Sequence, residues 1–378
     1  MLAERARAET GRWAGPAPGR GVPRRVHLAV FSYSLPRAGM KRGGIERVAH
    51  DLADGLARRG HAVTVYSHDP RPPGAAYETA SLPWRGFVST WAGRRLTMGY
   101  LGNVLMLLTP VGDAEILMAH GDSLLLPLRG RPLVRVVHGS ALDEARTATS
   151  FGRRCLQAGV YGLELLTAAL QQHCVAVSAN TLRANRFIRH LIPNGVNRRV
   201  FRPDPAQRSP WPSILFVGTL GGRKRGSWLL RQFHDRVRSR CPDVELHMVC
   251  EGAPPGPGVV VHAGISDVDL AVLYRRAWVC ASPSTYEGFG LPYLEAMASG
   301  TPVIATPNPG SLEVLDGGAY GCLAGDEAFA DRLCDLLGDA DERARLIAAG
   351  LQRAEQLDLD RTLDAYEALF ASMVPPRG

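Results

Sequence analysis

The chain has 378 residues, of which 46% are apolar, and it carries a formal net charge of +8 at pH 7. Because a usual single domain has roughly 100–200 residues, two globular domains with ordinary buried cores are expected. Residues 1–25 hold six Arg and two Glu, which is half of the positive excess. We expect them to form a basic, disordered tail, and with the excess charge placed there no nucleic-acid partner is expected.

Neither a targeting segment nor a metal site is expected. The tail has no apolar run that could be a signal-peptide core, and no later stretch reaches the ~20 apolar residues of a transmembrane helix, so a cytoplasmic protein is expected. The seven cysteines form no C-x-x-C pair and no ligand-like group with His. They are expected as reduced thiols, with Cys250 and Cys280 as small buried residues in apolar runs.

Strands and helices alternate through the first half of the chain. Strands are predicted at 26–31, 63–67, 133–137 and 174–178, and a helix at 44–59. The apolar residues of this helix repeat at intervals of three and four, and Gly60 follows as a stop signal. The alternation is typical of βαβ units and predicts a parallel sheet.

The second half repeats the same alternation. A turn signal at 192–195 and a stretch rich in Pro and Arg place the domain boundary near residue 208, with domains at 26–208 and 209–358. Strands are predicted at 214–217, 245–249, 258–262, 279–282 and 302–305. A last helix at 359–374 has one apolar face, which is expected to pack against the first domain. The fold class is therefore α/β, with two Rossmann-like, doubly wound domains.

Three segments after strands are candidates for phosphate chemistry, since open α/β sheets bind ligands at the carboxyl ends of their strands. In the first, Gly43 and Gly44 open a helix, where free backbone N–H groups and the helix dipole attract a diphosphate. The pattern also fits a flexible loop with a glycine helix start. No G-x-G-x-x-G follows the first strand, which argues against a dinucleotide-binding dehydrogenase.

The second segment runs from Gly218 to Gly226 and places Arg223, Lys224 and Arg225 between a strand and a helix. Cations in this position would neutralise a leaving diphosphate. A solvated basic turn remains an alternative interpretation.

The third segment, 283–292, reads P-S-T-Y-E-G-F-G-L-P and leads into a helix. Gly288 and Gly290 leave the backbone N–H groups free to face an anion or hydroxyl groups, and Pro292 suits the first helical turn. Glu287 and Glu295, eight residues apart, could reach two parts of one ligand. Glu295 taken alone also fits a glutamate that only stabilises the helix dipole.

With these residues in view, the chain resembles the family-4 retaining glycosyltransferases of GT-B fold, whose signature is a glutamate pair spaced E-x-x-x-x-x-x-x-E. Glu287 and Glu295 match the pair. The resemblance extends to G-G-I-E at 43–46, A-R-R-G-H-A-V-T-V at 57–65, I-P-N-G-V at 192–196, V-G-T-L with R-K at 217–224, S-D-V-D-L-A-V-L-Y at 266–274 and E-A-M-A-S-G-T-P-V-I-A at 295–305. It covers nearly the whole chain from residue 26.

The resemblance implies roles for the residues of the second half, which becomes the nucleotide-sugar-binding domain. Glu287 is expected at the donor sugar and Glu295 at the ribose hydroxyls. The diphosphate is expected on Arg223 and Lys224, although many members place the Arg beside the glycine, where this chain has Thr219. Further donor contacts are expected from Gly218, Gly288, Phe289, Gly290 and Leu291.

The first half becomes the acceptor-binding domain, in which Gly43 and Gly44 approach the donor phosphates. His138, after the strand at 133–137, matches a histidine that faces the reacting sugar, and an ordinary core histidine is the alternative. The implied reaction is front-face transfer: the bond to the anomeric carbon loosens while a diphosphate oxygen takes the acceptor proton, and configuration is retained. No metal, cofactor or enzyme nucleophile is expected for this chemistry.

Other interpretations stay open at this level. Residues 84–96, rich in Trp and Arg, fit a contact with an anionic membrane at its cytoplasmic face, an amphipathic helix packed on the sheet, or a wall of the acceptor pocket. Asp267 and Asp269 form a D-x-D, for which a helix cap is the favoured explanation. A catalytically silent sugar-nucleotide-binding subunit and a sugar-nucleotide epimerase are the alternative functions. UDP is the favoured nucleotide by its frequency in the family, and the acceptor is a glycan, a lipid-linked molecule or a small molecule.

Overall fold

The computed structural model describes residues 24–37, 43–82, 102–121, 123–147 and 150–374, with the backbone alone at Thr147 and Arg153. The expectations for the basic tail up to residue 23 and for the 84–96 segment therefore lie outside the described residues. In the part of the chain that is described, no helix has both the length and the apolar character needed to span a bilayer.

The strands are named in chain order. They are β1 His27–Phe31, β2 Ala62–Ser67, β3 Glu78–Ser81, β4 Ile116–His120, β5 Leu133–Val137, β6 His173–Ala176, β7 His190–Leu191, β8 Ser213–Val217, β9 Glu245–Val249, β10 Val259–His262, β11 Val279–Ser282, β12 Val303–Ala305 and β13 Cys322–Leu323. The strands predicted from sequence agree with these bounds to within two residues. Every strand pairing is parallel, as predicted.

The helices follow the same order. They are α1 Gly44–Arg58, α2 102–108, α3 Ala141–Thr147, α4 Phe151–Leu170, α5 Ala179–Ala184, α6 Gly226–Gln232, α7 Arg238–Arg240, α8 Asp267–Arg276, α9 Leu291–Ala298, α10 Pro309–Val314, α11 Phe329–Gly338, α12 Ala340–Gln356 and α13 Leu359–Met373. A π-helical turn, Phe233–Val237, joins α6 to α7. The helix predicted at 44–59 is α1, and its buried face consists of the apolar residues that repeat at three and four.

The chain divides into two compact units. The N-terminal unit comprises the described residues before 194 together with 360–374, and its seven strands lie in the order β3-β2-β1-β4-β5-β6-β7. Every residue of β4 and β5 is buried, as expected for parallel strands covered on both faces. The strand order reverses between β1 and β4, which is where a doubly wound sheet opens a ligand crevice.

The C-terminal unit, residues 194–359, has the strand order β10-β9-β8-β11-β12-β13. Its core lies against β8, β9 and β11, with Phe216, Phe233 and Phe329 among the large side chains that are almost wholly buried. The order reverses between β8 and β11. Loops that follow these two strands therefore meet at one edge of the sheet.

The two units meet along the chain at residue 194, ahead of the boundary that the sequence placed near 208. The intervening segment packs on the C-terminal unit: Phe201 meets Tyr274 edge to face, and the guanidinium of Arg208 donates to the carbonyl of Ala277. The Pro and Arg residues that suggested a boundary near 208 are mostly exposed, while Phe201 and Arg208 attach the segment to the C-terminal unit.

Helix α13 belongs, from residue 360 onward, to the N-terminal unit. Arg59 at the end of α1 donates to the carboxylates of Asp364 and Glu367, at 2.7 and 2.8 Å. Leu363 lies so close to Gly55 that a Cβ added at that glycine would stand 2.6 Å from the leucine Cδ1. The apolar face seen in the sequence is therefore the face that α13 buries.

Candidate active site

The strongest site candidate lies where the loops after β8 and β11 meet, at the reversal of strand order in the C-terminal unit. The backbone N–H of Thr285 donates to the carbonyl of Arg223 at 2.9 Å, which ties the two loops together. Lys224 donates from Nζ to Oε1 of Glu287 at 2.5 Å. The second and third candidate segments of the sequence are thus brought into one cluster.

The Lys224–Glu287 pair is largely withdrawn from water. The lysine side chain is 17% exposed and the glutamate side chain 7%. A charge-assisted hydrogen bond between partly desolvated groups is stronger than one on the surface, and removing one partner leaves the other as an uncompensated charge. The pair therefore fixes both loops and concentrates opposite charges at the edge of the sheet.

The turn that carries Lys224 is built from a short 3₁₀ segment, Gly222–Lys224, followed by Arg225 in the left-handed region at φ 56°. Such a conformation costs energy for a residue with a Cβ and persists when its surroundings fix it. Arg225 binds both carboxylate oxygens of Asp326, at 2.7 and 2.6 Å, and its Cζ lies 4.3 Å from the ring centroid of Trp228. These contacts hold the turn.

Two glycines let this turn fold close to the sheet. A Cβ at Gly218 would stand 2.8 Å from the ring of Phe216 and 3.1 Å from Cβ of Lys224. A Cβ at Gly226 would stand 2.9 Å from the carbonyl oxygen of Thr219. Gly218, which the sequence assigned to donor binding, therefore also has a packing role. Arg223 is exposed, and its Cζ lies 5.9 Å from the ring centroid of Tyr286, within cation–π range.

The loop 283–290 is held by residues that follow β12 and that sequence reasoning missed. The side-chain amide of Asn308 donates to the carbonyl of Ser284 at 2.9 Å, and Thr306 Oγ1 donates to the same carbonyl at 2.7 Å. A Cβ at Gly310 would stand 2.5 Å from the carbonyl oxygen of Phe289 and 2.8 Å from Cβ of Glu287. The T-P-N-P-G run at 306–310, directly after β12, was the available signal.

The end of the same loop is shaped for a helix start. Gly290 has φ 106°, a region that favours glycine, and it precedes α9, where Pro292 occupies the first turn as predicted. Phe289 is buried, whereas Gly288 and Leu291 are partly exposed. The positive end of the helix dipole thus faces the segment that the sequence assigned to the donor.

Glu295 lies on α9 and is 3% exposed. The hydroxyl of Tyr274 donates to its Oε2 at 3.1 Å. Next to it, burial together with the Glu295 charge raises the pKa of the Cys280 thiol to about 12, so this cysteine is inert, as expected from the sequence. The phenol of Tyr293 has its pKa raised by burial and by the charge of Glu287. The structure therefore buries this carboxylate within the unit and does not leave it at an exposed helix end.

The N-terminal unit holds the remaining predicted residues. Gly43 is the N-cap of α1 and Gly44 its first residue, as predicted, with the carboxylate of Glu46 in the first turn. Among the described residues, no atom lies within 4 Å of where a Cβ of Gly44 would stand. In that part of the chain, nothing covers the helix start on this side.

His138 follows β5 and pairs with His120 at the end of β4. His120 Nδ1 lies 2.9 Å from His138 Nε2, and the rings stack with centroids 5.1 Å apart. Burial lowers the pKa of His138 to about 4, and burial and the neighbouring ring lower the pKa of His120 well below its usual value. Both imidazoles are therefore neutral at pH 7. Sequence reasoning missed His120 together with its strand.

The D-x-D at 267–269 is a helix cap, as favoured from the sequence. Ser266 accepts from the backbone N–H of Asp269 at 3.1 Å, while the Asp269 carboxylate receives the backbone N–H of Ser266 in return. Among the described residues, no group of three or more His, Cys, Asp or Glu side chains has an arrangement that could hold a metal ion. All seven cysteines are free, and Cys250 and Cys280 are buried as predicted.

Two known families match the chain over these same segments. Residues 211–339 match the family described as Glycosyl transferases group 1, and residues 42–200 match Glycosyltransferase Family 4. The glutamates, the Lys224 turn and the α9 start lie in the first match. Gly43, Gly44 and His138 lie in the second. The class that these matches define is the glycosyltransferases.

Curated relatives agree with this class. A phosphatidyl-myo-inositol mannosyltransferase of Mycobacterium leprae is 28% identical over 384 residues, covering 91% of this chain and 96% of that protein. A D-inositol 3-phosphate glycosyltransferase of Paenarthrobacter aurescens is 31% identical over 216 residues, covering 49% of this chain and 53% of that protein. The chain thus spans about half the length of some curated relatives and almost the full length of others.

Solved structures show the fold. A sucrose-phosphate synthase of Thermosynechococcus elongatus superposes with a TM-score of 0.76 at 21% identity, covering 92% of this chain and all of that chain. HepE of Anabaena, solved with UDP-glucose, gives 0.67 at 17% identity over 93% of this chain and all of its own. The fold is GT-B, and the family models and relatives that match the chain are those of the glycosyltransferases to which its sequence showed a resemblance.

Proposed function

We propose that this protein transfers a sugar from a nucleoside-diphosphate sugar to an acceptor hydroxyl with retention of configuration. The observation that carries the proposal is the pairing of Lys224 with Glu287 at the meeting point of the β8 and β11 loops. It puts a cation, a buried carboxylate and the start of a helix at the position where an open α/β sheet takes its ligand.

The donor would lie along this edge of the sheet. Arg223 and Lys224 supply the positive charge that a departing diphosphate requires, and the backbone of 288–291 supplies N–H groups at a helix start. Glu287 is assigned to the sugar and Glu295 to the ribose hydroxyls. An ionised carboxylate accepts hydrogen bonds at both oxygens, which is the chemistry that a pair of ribose hydroxyls requires.

The chemistry follows from this distribution of charge. The bond between the anomeric carbon and the diphosphate oxygen breaks, and the acceptor oxygen forms a bond to that carbon on the same face. The acceptor proton passes to the departing diphosphate oxygen. Lys224, Arg223 and the helix start lower the energy of the developing negative charge, which is transition-state stabilisation by fixed groups rather than by an enzyme nucleophile.

UDP is proposed as the nucleotide, supported by the structural neighbour HepE, which was solved with UDP-glucose. The acceptor is proposed to be a hydroxyl of a glycan, a lipid-linked molecule or a small molecule. Relatives named for myo-inositol and inositol 3-phosphate make these polyols the first acceptors to test.

The proposal is tested by ligand binding and by turnover. Saturation-transfer NMR is recorded with UDP-, GDP- and ADP-sugars against the wild type and Glu295→Ala. The wild type is expected to bind one class of donor and to release nucleoside diphosphate slowly without acceptor and faster with myo-inositol or another suitable acceptor. Glu295→Ala is expected to weaken donor binding by about tenfold to a hundredfold, since a bond to a charged group is worth about 1.5–3 kcal/mol.

Tyr274→Phe provides the matched control. It removes the same hydrogen bond to Glu295 but leaves the carboxylate in place, so it is expected to retain donor binding within about threefold, which is under 1 kcal/mol. Equal losses in both variants would mean that Glu295 acts through packing only. Absence of binding by every nucleotide sugar up to millimolar concentration would overturn the proposal in favour of a subunit without this activity.

A further inference from the structure

The histidine pair of the N-terminal unit lies at the second reversal of strand order. His120 ends β4, the strand that neighbours β1 across the reversal, and His138 follows β5. The register pairs His120 with Val136, so His138 stands one pleat further along the same face. This geometry explains why the two rings stack.

The hydrogen bond between the rings uses one nitrogen of each histidine, so the surroundings of the other two, His120 Nε2 and His138 Nδ1, must be considered. His120 is 3% exposed, and its Nε2 has no hydrogen-bond partner among the described residues. His138 is only partly buried, and within the described part of the chain its Nδ1 makes no hydrogen bond. One nitrogen is thus buried without a partner, and the other remains available to a ligand.

Two tautomeric arrangements satisfy the 2.9 Å contact between neutral rings. In one, His120 donates from Nδ1–H, so that its buried Nε2 carries no proton and His138 carries its proton on Nδ1. In the other, His138 donates from Nε2–H, which places an N–H on the buried Nε2 of His120 with no acceptor. A buried N–H without an acceptor is rarer in proteins than a buried acceptor without a donor, so the first arrangement is favoured.

We infer that His120 is a positioning residue, which fixes His138 as its Nδ1–H tautomer so that His138 presents an N–H donor to a ligand oxygen at this edge of the N-terminal sheet. The ligand in this inference rests on the proposed function. The tautomer is inferred from the contact between the two rings and does not depend on that function. The lowered pKa values of both rings support this inference. A neutral imidazole carries a proton on only one of its two nitrogens, so each ring has a defined tautomer.

The tautomer is measured first, by long-range ¹H–¹⁵N correlation spectra of histidine-labelled wild type without ligand. His138 is assigned with His138→Asn and His120 with His120→Asn. Both rings are expected to show a protonated Nδ1 and an unprotonated Nε2. A His138 ring protonated on Nε2 would overturn the inference, whatever the protein does to sugars.

Turnover then tests the consequence. The side-chain amide of Asn reproduces the Nδ1–H donor of histidine, so His120→Asn is expected to retain kcat within about threefold. His120→Leu removes the donor and is expected to lower kcat by about tenfold to a hundredfold, the size of one lost hydrogen bond to a reacting ligand, with nucleotide affinity unchanged. Equal activity of the Asn and Leu variants would contradict the positioning role.

A second histidine pair provides the control. His173 on β6 and His190 on β7 stack with centroids 5.7 Å apart in the same sheet. His173→Leu is expected to leave kcat unchanged, and an equal loss there would show that the effect is general destabilisation. If the wild type turns over no sugar nucleotide, the proposed function and the ligand part of this inference both fail, and the spectrum alone still decides the tautomer.

Discussion

Lys224 and Glu287 combine a structural and a chemical role, and variants at both positions can separate the two. Lys224→Met keeps the apolar stem and removes the charge. It leaves Glu287 buried without its partner, so we expect the free energy of unfolding to fall by about 1–3 kcal/mol and kcat to fall by about a hundredfold or more. Chemical denaturation and donor hydrolysis measure the two effects.

The double variant Lys224→Met, Glu287→Gln separates the effect on the free energy of unfolding from the effect on kcat. It contains no unpaired buried charge, so most of the lost stability is expected to return, because well-matched neutral groups can replace a buried ion pair at little cost. Activity is expected to stay low, since neither the cation nor the carboxylate is present. Recovery of activity in the double variant would show that Lys224 serves the fold and not the diphosphate.

His138 is predicted to stay neutral through the physiological range. Its pKa is lowered to about 4 from the ordinary value near 6.5 because burial disfavours the charged ring. Between these values the unfolded chain binds more protons than the folded chain, so stability is present above pH 6.5 and is lost as pH falls towards 4. The loss attributable to this ring is on the order of 2 kcal/mol.

An NMR titration of the His138 ring checks this expectation directly. The ring carbon-bound proton should show no protonation step between pH 8 and pH 5.5, while an exposed histidine titrates near its usual value. Unfolding by urea at pH 7 and pH 5 should show a smaller acid loss for His138→Asn than for the wild type. A titration midpoint near 6.5 would contradict the neutral pair.

Among single residues, the sequence pointed to candidates with a strong local pattern and missed residues whose contacts reach across the fold. Glu287, Lys224 and Glu295 became candidates because glycines, cations and carboxylates follow strands at fixed spacings. Asn308 was missed because its hydrogen bonds reach back across 24 residues to Ser284. His120 was missed because nothing in the sequence shows which ring it contacts.

Helix α10 acts on the active-site loop as an element, and Gly310 is the point of closest approach. Gly310→Ala would force a Cβ to 2.5 Å from the Phe289 carbonyl oxygen, which is backbone and cannot rotate away. We expect the loop that carries Glu287 to shift, with donor affinity reduced at least tenfold and stability reduced by about 1–3 kcal/mol. Calorimetric titration with the best donor and thermal unfolding measure both.

Gly325→Ala is the matched control, because no atom of the described residues lies within 4 Å of where its Cβ would stand and its backbone is not in the left-handed region. It should bind donor like the wild type and change stability by no more than about 0.5 kcal/mol. Similar donor affinity in the Gly310 and Gly325 variants would mean that α10 does not position the loop.

Among the elements, apolar runs and periodicity were sufficient for α1 and for nine strands, including the fully buried β5 and β11, but they missed β3, β4, β7 and β13. β4 has the sequence I-L-M-A-H and is buried at every position, so it shows no alternation between apolar and polar residues. β7 and β13 have two residues each, too few for any period. These elements exist because neighbouring parallel strands provide their hydrogen bonds.

For the whole molecule, the order of the units along the chain matters, because the chain leaves the N-terminal unit at residue 193 and returns to it at residue 360. Leu363 on α13 is 2% exposed. Leu363→Ala is expected to cost about 2–4 kcal/mol, through lost burial and the cavity left beside Gly55. The cost should fall on the N-terminal unit, although residue 363 follows the C-terminal unit in sequence.

Hydrogen exchange measured by mass spectrometry shows which unit loses stability in Leu363→Ala. Peptides from α1 and β1 should lose protection in Leu363→Ala, while peptides from β8 and β9 should keep it, because local stability follows packing within a unit. Leu128→Ala, at a leucine of the N-terminal unit that is 72% exposed, should leave both sets unchanged. Loss of protection confined to β8 and β9 would instead make α13 part of the C-terminal unit.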